Sequence, residues 1–170
     1  LYVKKALSCA ELSLSIKKSL PLSTQLLNAL ADDGLVVETG YAPSTGGRKP
    51  VMYSLAPNVI YVVAVAMDQF VTRIAIMNMS NEFITPVEKY ELSLHNNNEA
   101  LSLLVEKIEM LISKSGISKS KIAGIGMGMP GFIDIKRGLN HSYLLSGGKN
   151  INEYISEKIK IPVFIDNDSS

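Results

Sequence analysis

Apolar positions change their rhythm along this chain of 170 residues, and the change divides it. Up to about residue 33 they recur at three- and four-residue steps, the spacing of a helix face. Ser8-Cys9-Ala10-Glu11 fits a capping box, so a short helix is expected to begin near Cys9 and to bury Leu12 and Ile16. Leu1–Ala6 reads as the end of a preceding helix. Lys17-Lys18-Ser19 is the break. A second helix is expected from about Leu20 to Asp33, with Pro21 in its first turn, Leu26, Leu27 and Leu30 inward, and Gly34 as its stop. Two short helices with a tight turn fit a helix-turn-helix or any small helical hairpin. The residues after Gly34 decide between them. Leu35–Glu38 and Val51–Leu55 read as antiparallel strands around a polar loop, Thr39–Pro50, and that order is the winged variant.

After Ala56-Pro57-Asn58 the rhythm shortens. Ile60–Met67 and Thr72–Met79 are apolar strands forming a hairpin, and Glu82–Leu94 carries a third strand. Asn96-Asn97-Asn98-Glu99 caps a helix with Leu101, Leu104, Val105, Ile108, Leu111 and Ile112 at helical spacing. Ile122–Gly128 is a strand, Asn150–Glu153 opens a helix with Tyr154, Ile155 and Ile159 inward, and Pro162–Ile165 is a last strand. The order is β-β-β-α-β-α-β, an α/β fold. The boundary falls between residues 1–56 and 57–170.

Gly124-Ile-Gly-Met-Gly-Met-Pro-Gly-Phe-Ile-Asp134 stands out within it. Glycine at every second position leaves one strand face without side chains, and something must approach the backbone there, either another chain segment or a ligand. Pro130-Gly131 turns the chain at a strand's C-terminal end, where open α/β sheets bind ligands. A glycine-rich core strand with a tight turn accounts for the same residues.

Composition narrows the class. With 46% hydrophobic and 19% charged residues the chain can build a real core, and no apolar run approaches the ~20 residues of a membrane span. Neither a membrane partner nor a signal peptide is expected. The first residue is Leu1 rather than Met, so the true N-terminus is expected to lie upstream. A single cysteine, Cys9, fits a reducing cytoplasm, and with His95 and His141 far apart no metal constellation is expected. The net charge of +1 is unevenly spread: residues 1–56 hold six Lys/Arg against four acids, the remainder eleven against twelve. Such a difference is small.

The chemistry of the first segment suits duplex DNA. In Ser44-Thr45-Gly46-Gly47-Arg48-Lys49-Pro50 two glycines let backbone lie close to a groove, and Arg48 and Lys49 supply the charge that a narrow minor groove attracts. Ser23, Thr24, Gln25 and Asn28 are placed opposite the leucines of the second helix, for base edges and phosphates, and Lys17 and Lys18 sit at the turn to hold the backbone. A solvated basic loop is the plain alternative for the wing.

Together these features resemble the ROK family (repressors, open reading frames and sugar kinases) over nearly the whole chain. The glycine-rich strand with Pro130-Gly131 and Asp134 resembles the family's glycine-rich Pro-Gly segment, Ile165-Asp166-Asn167-Asp168 its Asn-Asp segment, and Gly47-Arg48-Lys49 the wing of its repressor branch. The resemblance implies a winged helix-turn-helix followed by the first lobe of an actin/hexokinase-like ATPase (ribonuclease H-like) fold. It implies a sugar site at Gly131, Ser142, Asn167 and Asp168, with Asp168 matching the carboxylate that deprotonates the sugar hydroxyl in kinase members. For Asp168 a solvated turn after a strand is the alternative. It also implies a second lobe, absent here, that carries zinc and further sugar contacts. The chain is therefore expected to be an N-terminal fragment, with no cofactor of its own.

Kinase members place a D-x-G-G-T-[KN] phosphate loop in the first hairpin. Here Ala66, Met67, Asp68, Gln69, Phe70 and Val71 stand at those positions, so the glycines and the metal-handling aspartate are gone. The expectation is a non-enzymatic, cytoplasmic, homo-oligomeric regulator of carbohydrate genes, a repressor that binds an operator and responds to a sugar. An ATP-dependent sugar kinase with an accessory DNA-binding head and a constitutive DNA-binding module without ligand are the alternatives.

Overall fold

A computed structural model of the chain describes residues 1, 4–42, 49–95, 97–134, 137, 139–144 and 150–168. They form two units, Leu1–Val59 and Ile60–Ser170.

In the first unit a strand, β1 (Ala6–Ser8), leads directly into helix α1 (Cys9–Ile16), and after it come α2 (Leu20–Asp32) and strands β2 (Val36–Tyr41) and β3 (Val51–Leu55). The strands make an antiparallel sheet in the order β1-β3-β2. Of the segment expected to end a helix, Leu1–Ala6, the last residue begins a strand: Ala6, Leu7 and Ser8 pair with Ser54, Tyr53 and Met52, which gives their backbone groups partners in β3. The capping box forms as expected, with Glu11 N–H donating to Ser8 Oγ and the Glu11 carboxylate accepting from Ser8 N–H at 2.8 Å. These bonds hold the Glu11 carboxyl below its ordinary range. Helix α1 ends on Lys17, which takes a left-handed conformation (φ 54°). Helix α2 ends in a Schellman arrangement: Gly34 N–H donates to Ala31 O and Leu35 N–H to Leu30 O, with Gly34 at φ 70°.

The buried stripe of α2 is narrower than the leucines imply. Ser23 and Leu27, one turn apart, are 0% and 2% exposed, whereas Leu26 and Leu30 are exposed, as is Ile16 on α1, and Leu12 is half-buried. Among the described residues of the first unit, α1 and a small sheet are what cover this 13-residue helix. Leu26, about 100° around the axis from Leu27, falls outside that contact.

The second unit is a five-stranded mixed sheet in the order β10-β7-β4-β5-β6, from β4 (Tyr61–Met67), β5 (Val71–Asn78), β6 (Glu88–Glu91), β7 (Ile122–Met129) and β10 (Val163–Asn167). Strands β4 and β5 form the antiparallel hairpin, while β7 runs parallel to both β4 and β10. The parallel pairings require crossovers. These are helix α3 (Ala100–Ser115) with a 3₁₀ turn at Lys119–Lys121, and helix α4 (Ile151–Ile159). Two short strands that periodicity does not reveal, β8 (Ile133–Asp134) and β9 (Leu139–Asn140), pair antiparallel after β7. Alternate residues of the sheet and the inner faces of both helices share one core, with Val63, Ile74, Ile76, Leu104, Ile108, Ile125, Met129, Ile155 and Ile159 fully buried. Asn150 caps α4 by accepting from Asn152 and Glu153 N–H. At α3 the Asn97 side chain accepts from Glu99 N–H at 3.0 Å. Among the described residues no helix is long and apolar enough to cross a membrane.

Candidate functional site

Strands β7 and β10 run side by side and end together, with Asn167 opposite Met129. Beyond that edge the chain turns at Pro130-Gly131. Gly131 sits at φ 106°, and a Cβ there would come within 2.9 Å of Ser142 Cβ and 3.1 Å of Asn140 Oδ1. Only glycine fits without strain. The Asn167 side-chain amide donates to Gly131 O at 2.9 Å, and Asp168 N–H donates to Met129 O at 3.2 Å. Ser142 Oγ accepts from Phe132 N–H at 3.1 Å. Gly131, Ser142, Asn167 and Asp168, picked out at separate points of the sequence, therefore meet at one end of the sheet. Asp168 and Ser142 are exposed there.

Sequence reasoning missed the residue that organises this corner. Asn140 is 5% exposed. Its amide donates to Pro130 O at 2.9 Å, while its Oδ1 accepts from Ser142 N–H at 2.9 Å and Tyr143 N–H at 3.0 Å. Asparagine in a polar stretch reads as an ordinary turn residue, and nothing local marks this one as buried. The Phe132 and His141 rings meet at a tilt of 44°, centroids 5.6 Å apart, with Phe132 73% exposed.

The β4–β5 hairpin holds the residues aligned with the phosphate loop. Here the loop binds itself. Asp68 Oδ1 accepts from the N–H groups of Phe70 (2.8 Å) and Val71 (2.7 Å), and Oδ2 accepts from Arg73 Nη1 (3.3 Å). The two backbone bonds, with Arg73 adding to them, keep the Asp68 carboxyl below its ordinary range. The outward carbonyls are also taken: Leu92 N–H donates to Phe70 O and Leu94 N–H to Gln69 O. Two amides of the kind a phosphate would use are occupied by a side-chain anion from the same turn.

On α2, Gln25 and Asn28 share an exposed stripe roughly opposite Ser23 and Leu27. Ser23 departs from its expected role: it is fully buried in the first unit, so its hydroxyl is turned away from any groove. Thr24 is exposed, but its hydroxyl donates to Leu20 O at 2.9 Å and lies 3.3 Å from Cys9 Sγ. Lys17, Lys18 and Lys49 are exposed. Arg48, with residues 43–47 of the loop expected to be a wing, lies outside the described residues. Among the described residues no group of three or more His, Cys, Asp or Glu side chains could hold a metal ion.

No protein-family model matches the chain. Over 98% of its length it is 28% identical to a xylose repressor of Caldicellulosiruptor bescii, of which it covers 42%. A solved ROK family transcriptional regulator, a homologue of the E. coli MLC protein, matches 95% of this chain and 41% of its own length with a TM-score of 0.70 and 19% identity. A ROK hexokinase from Thermus thermophilus matches 64% of this chain and 35% of its own, with a TM-score of 0.52 and 20% identity. The fold is the mixed α/β fold of ROK proteins. The similarity to ROK family repressors, read from the motifs, holds across nearly the full chain. The chain spans about two-fifths of the length of the curated relative it matches.

Proposed function

We propose that this chain is the DNA-reading and first sensing portion of a cytoplasmic, sugar-responsive transcriptional repressor, and that it has no kinase activity. The observation that carries the second half is the self-bound hairpin loop, where Asp68 occupies the Phe70 and Val71 amides. A polyphosphate arriving there would have to displace a carboxylate and tolerate its charge. The effector corner, by contrast, keeps its four residues together. Sugar-site residues beside a blocked phosphate loop suit a sensor.

In this reading residues 1–56 are a winged helix-turn-helix. Gln25 and Asn28 read base edges, Thr24 packs α2 beside Cys9, and Lys17, Lys18, Arg48 and Lys49 hold phosphates or enter the minor groove. Residues 57–170 are the first lobe of the sugar-kinase-like domain. A homodimer or higher homo-oligomer sets two heads on successive half-sites. The effector is a sugar at Gly131, Ser142, Asn167 and Asp168, and the xylose repressor relative makes xylose the first to try. It acts only by binding one arrangement of the heads better than the other.

The test is a mobility-shift titration with DNA from the promoters that flank its own gene. Xylose or a related sugar should weaken binding at least ~10-fold, a coupling of typical size. DNA affinity indifferent to every sugar in a panel removes the sensor reading. Arg48→Ala should weaken binding at fixed salt, and an unchanged Kd removes the wing from the contact. The structural likeness to a ROK hexokinase favours one competing reading, a kinase with a DNA-binding head. ATP consumption coupled to any sugar of the panel would establish it.

A further inference from the structure

The effector corner carries an aromatic ring that the fold does not bury. Phe132 follows Gly131 directly and is 73% exposed. Its backbone is tied on both sides. Its N–H donates to Ser142 Oγ at 3.1 Å, and its carbonyl accepts from His141 N–H at 2.9 Å. The second bond carries the β8–β9 pairing one step further, since Ile133 stands opposite Asn140 and Asp134 opposite Leu139. Side chains alternate along such a ladder, so Phe132 and His141 share one face and Ile133 and Asn140 the other. Asn140 is buried, so its face is the inner one. Phe132 is on the outer face, where its ring meets that of His141.

Single exposed apolar residues are common. Phe70, Phe83 and Phe164 are exposed too, but on other elements: the β4–β5 turn, the segment after β5, and the early part of β10. Phe132 differs in its neighbours. It adjoins Gly131, whose carbonyl takes the Asn167 amide, and it is bonded to Ser142. Small-molecule sites combine an apolar or aromatic wall with a few fixed polar groups. Gly131, Ser142, Asn167 and Asp168 supply the polar half alone. A sugar ring carries hydroxyls around its rim and C–H groups across its faces. The rim suits those polar residues, and a face suits an aromatic ring, whose negative π-face attracts C–H hydrogens. We infer that Phe132 is a specificity residue of the effector site: its ring takes the C–H face of a cyclic sugar, so open-chain polyols are discriminated against. This rests on the proposed sugar response.

The test uses calorimetry and fluorescence with two pairs of probes, D-xylose against xylitol and D-glucose against sorbitol, each pair sharing a carbon skeleton but not a ring. The sugar that binds should bind at least ~10-fold more weakly to Phe132→Leu, while Phe132→Tyr should stay within ~3-fold of the parent, because it keeps the stacking face. Phe164→Leu, which removes an exposed ring from β10, should bind as the parent does. The chain has no tryptophan, so Phe132→Trp adds a single indole at the corner. Its emission should change saturably with the cyclic sugar and not with the matching polyol. Circular dichroism checks that each variant folds. A parent that binds neither sugar would overturn the sensor reading and this inference together. A parent that binds one would overturn this inference alone if Phe132→Leu binds it equally well, if the polyol binds as tightly, or if the Phe132→Trp emission ignores it.

Discussion

Glycine means different things at three positions of one stretch. A Cβ on Gly126 meets nothing within 4 Å, on Gly124 it meets the Phe164 ring at 3.2 Å, and on Gly131 it meets Ser142 at 2.9 Å on a left-handed backbone. Gly126→Ala should therefore be neutral or stabilise slightly, through reduced freedom of the unfolded chain. Gly131→Ala should cost about 2–4 kcal/mol, combining strain with displacement of Ser142. Urea denaturation of the two variants measures the contrast, and equal losses would contradict the geometry. Lys17 poses the converse case. It holds a left-handed conformation with a full side chain, so Lys17→Gly should gain about 1 kcal/mol. If Lys17 also touches DNA, the same variant should bind the promoter more weakly while melting higher, separating the two roles of one residue.

Among the elements, the β4–β5 hairpin holds a carboxylate within its own turn, so its stability depends on charge there. The folded chain keeps the Asp68 carboxyl below its ordinary value. As pH falls the unfolded chain protonates first, so the stability from this group is complete above about 3.9 and is lost as pH drops through the lowered folded value. Asp68→Asn keeps an acceptor but no charge. It should be less stable than the parent at pH 6, and the difference should close between pH 5 and pH 2. A gap that stays constant over that range would assign the effect to something other than ionisation. This element was legible in the sequence as a hairpin with lost glycines, but not as a turn that binds itself. Spacing reports which side chains share a face and is blind to where a carboxylate folds back. The same blindness explains Asn140, and Ser23, whose burial comes from packing within the first unit. Strands β4, β5, β7 and β10 and helices α3 and α4 were readable because each has a long apolar face with a large core to meet. On α2 the leucines outnumber the surface available to cover them, and pattern alone assigns too many to the interior.

For the molecule as a whole, the charge division has a measurable counterpart. The net positive charge resides in the first segment, six Lys/Arg against four acids in residues 1–56. Promoter affinity should fall steeply with salt, and Lys18→Ala should reduce the slope of log affinity against log salt by about 1. A slope unchanged by that variant would place Lys18 away from phosphates. The tie between Asn167 and Gly131 carries a further consequence, in time rather than in space. It joins residues 36 apart, across a parallel pairing that forms only after α4 has crossed over. Synthesis proceeds from the first residue, and the segment proposed to read DNA has its β1-β3-β2 sheet complete by Leu55. The corner proposed to sense sugar has no second wall until Asn167 is translated and docked. A nascent chain on the ribosome would therefore own its reading head long before it could be told to let go.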